Sequence, residues 1–167
     1  GRVERQDYHY ERNGTCAVLM AVEPLAGYRI VKVTERKTKK DYADFMKDVA
    51  SHYPDADKII LVQDNLNTHN PSSFYELFDA SEAFALSQRF EMAYTPKKAS
   101  WLNMAEIELS ALSKQCLDRR IAQRRILTKE VLTWSEKRNR LQTKITWQFT
   151  KNKAREKLGR FYSIIHN

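Results

Sequence analysis

A mixed α/β layer fold is predicted for this chain, and three observations predict it. Thr15–Val22 and Tyr28–Thr34 are two β-rich runs joined by only Glu23-Pro24-Leu25-Ala26-Gly27, a spacing that makes them an antiparallel hairpin. Lys58–Gln63 and Phe90–Tyr94 are further short strands, each reached through a segment of helical periodicity. Beyond Leu102 the pattern is helical almost throughout. Strand, strand, helix, strand, helix, strand, then helices gives a mixed sheet flanked by helices.

Each element has its local reason. Residues 1–13 are polar and charged, with Tyr8 and Tyr10 alternating, and read as an edge strand or a lead-in. Asn13-Gly14 signals a turn. Thr15–Val22 is almost continuously apolar, as a strand buried on both faces should be. A helix over 40–53 follows Thr38 or Lys39, with Tyr42, Phe45, Met46 and Val49 on one face and His52 at its solvated end. Asn70 caps a helical segment with Pro71 in first position, and Phe74, Leu77 and Phe78 form its buried side. Residues 79–88 are weakly helical. A long helix runs over 102–119 and another over 127–141, the latter with Thr128 as N-cap and Val131, Leu132, Trp134 and Leu141 as apolar contributors. Trp147 and Phe149 anchor an extended segment, and 154–162 reads as a final short helix.

Composition narrows the function classes. The 167 residues fit one domain, and 42% apolar content excludes a disordered chain. Apolar runs stay short of the roughly 18 residues of a membrane span. The opening Gly1-Arg2-Val3-Glu4-Arg5-Gln6 does not read as a secretory signal. A net charge of +8 favours a polyanionic partner, nucleic acid being the commonest. Cys16 and Cys116 match no metal spacing and read as reduced core residues of a cytosolic protein.

Two stretches carry the chemistry. Ile59-Ile60-Leu61-Val62-Gln63 is a buried strand that ends on Asp64, at the rim where open α/β sheets bind ligands. Trp101-Leu102-Asn103-Met104-Ala105-Glu106 opens the long helix and puts a carboxylate in its first turns. At about 100° per residue, Leu102, Ala105, Leu109, Leu112 and Cys116 form the apolar stripe. Asn103, Glu106, Ser110 and Ser113 lie on one flank of it, and Glu108 lies on the other with Met104 and Gln115. Glu106 and Glu108 therefore cannot both face one site. Asp64 and Glu106 are the pair expected to converge on a divalent cation.

These residues resemble two blocks of the mariner-superfamily transposases. Asp64-Asn65, with His69, is similar to their Asp-Asn-x-x-x-His block. Pro96 with Leu102-Asn103-Met104-Ala105-Glu106 is similar to their Pro-x-x-x-x-Leu-Asn-x-x-Glu block, and the separation resembles that of the bacterial insertion-sequence branch. The resemblance covers nearly the whole chain, including Arg12-Asn13-Gly14-Thr15 and the stretch from Gln115 to Arg120. It implies a ribonuclease-H-like catalytic core with an Asp-Asp-Glu triad. It implies two Mg²⁺ or Mn²⁺ ions about 3.5–4 Å apart, metal-dependent DNA cleavage and strand transfer during insertion-sequence transposition. Asp64 and Glu106 are then the second and third carboxylates, catalytic and metal-binding alike. Asn65, His69 and Asn103 order the site or touch phosphate, although His69 is equally a helix-entry residue.

The triad's first Asp belongs on the first strand of that fold, ahead of the hairpin, and Asp7 does not match it. The expectation is a C-terminal part of a transposase core: 1–13 as lead-in or edge strand, 14–126 as core, and 127–167 as a helical extension. Such a chain lacks the first strand and one ligand, and is a poor nuclease unaided. It is alternatively an inactive remnant that binds DNA or self-associates. Missing its central strand, the sheet exposes unpaired edges that residues 1–13 or a second copy should cover, as in a strand-swapped dimer. Transposon ends and target DNA are the expected partners, in a bacterial cytoplasm at the nucleoid. Lys97, Lys98, Arg119, Arg120, Arg124 and Arg125 are the phosphate-contact candidates. Trp101 either stacks on a base or packs at the helix entry.

Overall fold

In the computed structural model, residues 14–96, 103–147 and 152–153 are described. Strands β1 (Ala17–Glu23) and β2 (Tyr28–Thr34) form the expected antiparallel hairpin, with Ala17 opposite Thr34 and Glu23 opposite Tyr28. Helix α1 spans Lys39–Ser51. Its start is fixed by a reciprocal cap: the Thr38 hydroxyl accepts from the Asp41 amide, and the Asp41 carboxylate accepts from the Thr38 amide. Strand β3 is Ile59–Gln63. The segment capped by Asn70 is a 3-10 helix, Pro71–Glu76, followed by α2 (Ala80–Gln88) with Asp79 as N-cap. Strand β4 (Phe90–Tyr94) runs parallel to β3, then come α3 (Ala105–Gln115) and α4 (Arg124–Arg140).

Helices cover both faces of the hairpin. Leu19, Ala21, Tyr28 and Ile30 join a core with Tyr42, Phe45, Met46 and Val49 of α1, a core that also holds Phe74, Leu86 and Phe90. The alternate residues Val18, Met20, Val31 and Val33 pack against Leu112 of α3 and Val131 and Trp134 of α4. This two-sided packing explains the unbroken apolar run of β1.

The strands do not form one sheet. Among the described residues, β1 pairs only with β2, and β3 pairs only with β4. A gap separates the pairs. The Tyr53 hydroxyl donates to Glu23 Oε2 (3.2 Å), Arg89 Nη2 donates to the Tyr53 carbonyl (2.6 Å), and the Ile59 amide donates to the Arg89 carbonyl (2.7 Å). The end of β1 is thereby tied beside the start of β3. Both strands line one cavity along their lengths, so they run antiparallel across the gap.

Several expectations are corrected. Helix α3 is shorter than predicted, and its last residues give way to Cys116 as C-cap. Helix α4 begins earlier: Gln123 is its N-cap, and Thr128 lies inside it. Leu77, Leu132 and Leu141 face solvent, as does Cys16, which precedes β1 instead of entering the core. Cys116 is half-buried, and neither cysteine is in a disulfide. Phe149, the helix over 154–162 and the role of residues 1–13 fall outside the described residues. No described helix is long and apolar enough to cross a membrane.

Candidate functional site

Asp64 follows the last residue of β3, at the carboxyl end of the parallel pair. The Thr95 amide extends the ladder to the Gln63 carbonyl (2.9 Å), and Asn65 Nδ2 donates to the Thr95 carbonyl (3.0 Å). Asn65 thus fastens the two strand ends together. The loop that follows is pinned from below by Gln63, a buried side chain. Its amide donates to the His69 carbonyl (3.0 Å), and its Oε1 accepts from the Tyr42 hydroxyl (2.9 Å). The Tyr94 hydroxyl is a second donor to the His69 carbonyl (3.0 Å), and the Tyr42 ring stacks on the His69 ring at 4.9 Å.

His69 Nδ1 lies 2.6 Å from Asp64 Oδ1. Burial pushes the imidazole pKa down, and this outweighs the nearby Asp64 carboxylate, which raises it. The ring is therefore neutral near pH 7. Its Nδ1 sits in close contact with Asp64 Oδ1 without hydrogen-bond geometry, and Oδ2 is the carboxylate oxygen outside this contact.

The start of α3 supplies the second half. Asn103 Oδ1 accepts from the Ala105 amide (3.1 Å), and the Asn103 carbonyl accepts from the Glu106 amide (3.1 Å). Asn103 thereby fastens the turn from which Glu106 projects. Asp64, His69, Asn103 and Glu106 all line one cavity of about 580 Å³. Glu106 is exposed on it, whereas Glu108 points the other way into a buried cluster with Arg29 and Arg138.

The donor set suits a hard cation: two carboxylates and an amide oxygen, with water and phosphate free to complete the shell, as Mg²⁺ sites often have. No cluster of three or more His, Cys, Asp or Glu suited to a metal occurs among the described residues. The donor chemistry of the residues present suits such an ion, with Asp64 and Glu106 as the two carboxylates that line the cavity.

The basic candidates are scattered. Arg119 is ion-paired with Glu130, and Arg124 Nη1 lies 3.5 Å from Glu35. Arg120 is exposed; Arg125 shares a second cavity, of about 680 Å³, with Arg119 and Lys129. Lys97, Lys98 and Trp101 fall outside the described residues. Sequence reasoning missed Tyr42 and Gln63 as supports of the loop. Gln63 offered a signal: a polar residue at a strand's inward-facing position must find buried partners.

A family model for the DDE superfamily endonucleases matches residues 1–128. The chain belongs to this superfamily. Its matched span contains both β3 and α3, hence Asp64 and Glu106. Enzymes of the DDE superfamily use divalent metals and act on DNA. Comparison with curated proteins and with solved structures gives no match.

Proposed function

We propose that this DDE domain belongs to a bacterial insertion-sequence transposase of the mariner superfamily and serves metal-dependent DNA cleavage and strand transfer, with Asp64 and Glu106 as two of its carboxylates. The observation that carries the reading is their common cavity, reached from a strand end and a helix start far apart in sequence. A divalent ion bound there would activate the attacking hydroxyl and stabilise the leaving oxygen of a phosphodiester. This chain's residues supply the frame. Neutral His69 lies against one oxygen of Asp64, Asn103 fixes the turn that carries Glu106, and basic side chains neutralise backbone phosphates. A second reading, a self-associating module without catalysis, draws on the edges of β1 and β3 that pair with no further strand among the described residues.

Mn²⁺ titration by calorimetry or electron paramagnetic resonance tests the proposal on the chain as it stands. Asp64→Asn and Glu106→Gln should each weaken binding at least tenfold while leaving the melting temperature within about 2 °C. Unchanged Mn²⁺ affinity in both variants would overturn it. Cleavage of DNA bearing the element's ends then separates an active domain from a metal-binding but inactive one.

A further inference from the structure

The loop between β2 and α1 brings a cation to the cavity that holds Asp64 and Glu106. Strand β2 pairs antiparallel with β1, and β1 runs antiparallel to β3 across the gap, so β2 and β3 point the same way. Their carboxyl ends, Thr34 and Gln63, therefore lie at one end of the fold. Lys37 follows Thr34 in the loop and lines the cavity with Asp64, His69 and Glu106. Two observations put it beside His69. Tyr42, near the start of α1, stacks on the His69 ring at 4.9 Å, and the Lys37 charge is among those that push the His69 pKa down. The backbone is tied on both sides of Lys37. The Thr34 hydroxyl donates to the Arg36 carbonyl (2.6 Å), and the Thr38 amide donates to the Asp41 carboxylate (2.9 Å). Neighbouring charges are engaged elsewhere: Glu35 lies 3.5 Å from Arg124, and Lys39 lies 3.2 Å from Glu76. Lys37 itself is exposed and has no ion pair among the described residues.

We propose that Lys37 holds a non-bridging oxygen of the DNA phosphate that is attacked beside Asp64 and Glu106. This rests on the reading of the site as a DNA-cleaving centre and adds a substrate-holding residue to it. Charge calls for such a residue. Asp64 and Glu106 repel a phosphodiester, and the repulsion grows as the reaction proceeds. The attacking hydroxyl gives its proton to water and its oxygen bonds to phosphorus. The bond from phosphorus to the leaving oxygen breaks, and that oxygen takes a proton from water. In between, the phosphoryl group and the two oxygens flanking it carry one more negative charge than the diester did. A cation fixed where that charge develops is worth most at that moment. Lysine suits the task, since its ammonium is a compact charge on a flexible stem that can follow the phosphate as it moves. Lys58 lines the same cavity but cannot share the role. It precedes β3 whereas Asp64 follows it, which separates them by roughly 20 Å along the strand.

The test uses the whole chain with its lysines dimethylated in carbon-13, a change that keeps their charge. The Lys37 and Lys58 methyl signals are identified by their loss in Lys37→Arg and Lys58→Arg. Substoichiometric Mn²⁺ should broaden the Lys37 signal at least tenfold more than the Lys58 signal, and a short DNA duplex should shift it. Lys37→Met should bind the duplex about tenfold more weakly and lower the slope of log affinity against log salt by about one. It should bind Mn²⁺ at least as tightly as the unaltered chain, because a nearby positive charge has gone. Lys37→Arg should stay within threefold of the original duplex affinity. Duplex affinity unchanged in Lys37→Met overturns the proposal. So does a Lys37 signal that Mn²⁺ leaves sharp while both carboxylates bind the ion, since that lysine would meet DNA away from the reacting phosphate. Mn²⁺ affinity indifferent to Asp64→Asn and Glu106→Gln overturns the underlying reading and this proposal with it, so the two failures are told apart.

Discussion

Replacing Glu108 with Gln tests what holds α3 in place. The Glu108 carboxylate is 2% exposed and serves two guanidinium groups. Arg29 Nε lies 3.0 Å from Oε2, while Arg138 donates to Oε2 from Nε at 3.0 Å and to Oε1 from Nη2 at 2.7 Å. Arg29 has a side chain with 0% exposure and also donates to the carbonyls of Gly27 (3.1 Å) and Thr143 (2.6 Å). Burial lowers the Arg29 pKa, more than Glu108 and its hydrogen bond raise it. The charge is thus held at a cost that its partner only partly offsets, and removing that partner exposes the full cost.

Breaking a buried pair from one side typically costs 3–5 kcal/mol. The Gly27 and Thr143 carbonyls remain bonded to Arg29, which places the expected loss near the lower end, about 3 kcal/mol. In urea that is a midpoint shift of roughly 1–3 M, and in a thermal scan a fall of roughly 6–12 °C. A charge-free triple variant, Arg29→Met with Glu108→Leu and Arg138→Met, removes the stranded charges but also the donor to the Gly27 and Thr143 carbonyls, at about 1–3 kcal/mol each, so it should recover no more than part of the loss. A Glu108→Gln loss below about 1 kcal/mol would refute the reasoning, because it would mean that Arg29 is satisfied without its counter-ion.

Gly27 has φ +69°, and a Cβ there would overlap the backbone of Gln142, so Gly27→Ala should cost more than about 2 kcal/mol in urea titration. Tyr53 has its pKa raised from 10.0 to about 12, by burial first and then by Glu23. Its folded value is the higher one, so its contribution to stability is full below the unfolded value and fades as pH rises from 10.0 toward about 12. Tyr53→Phe should flatten that alkaline limb in denaturation curves and remove the phase at about pH 12 from the phenolate absorbance titration, leaving the later rise of buried Tyr42. Gln63→Leu strands the Tyr42 hydroxyl and takes one donor from the His69 carbonyl, for a loss of about 1–3 kcal/mol. It should also weaken Mn²⁺ binding, and unchanged Mn²⁺ affinity in a folded Gln63→Leu variant would show that the loop keeps its shape without Gln63.

Elements governed by neighbours in sequence were legible. The hairpin follows from its short Pro-Gly connection, α1 from its capping pair and apolar face, and the 3-10 helix from Asn70-Pro71. Failures arose where local signals compete. Thr128 looks like an N-cap, but Arg124 to Leu127 are good helix formers and carry the helix back to Gln123, which makes no side-chain cap. Leu132 and Leu141 fit the helical apolar pattern, yet α4 packs only one stripe, through Val131 and Trp134, against the hairpin.

The site divides along the same line. Helical spacing alone separates Glu106 from Glu108 by about 200°, so that one faces the cavity when the other does not. What spacing withholds is which flank is buried. Arg29, on a strand distant in sequence, decides it by taking Glu108 into the interior with Arg138. Fixing Glu108 fixes the rotation of α3 about its axis, and that rotation turns Glu106 toward the wall it shares with Asp64. A carboxylate outside the cavity thereby sets the direction of one that lines it, which is why a residue pattern read one helix at a time separates Glu106 from Glu108 but does not give the contact that aims either.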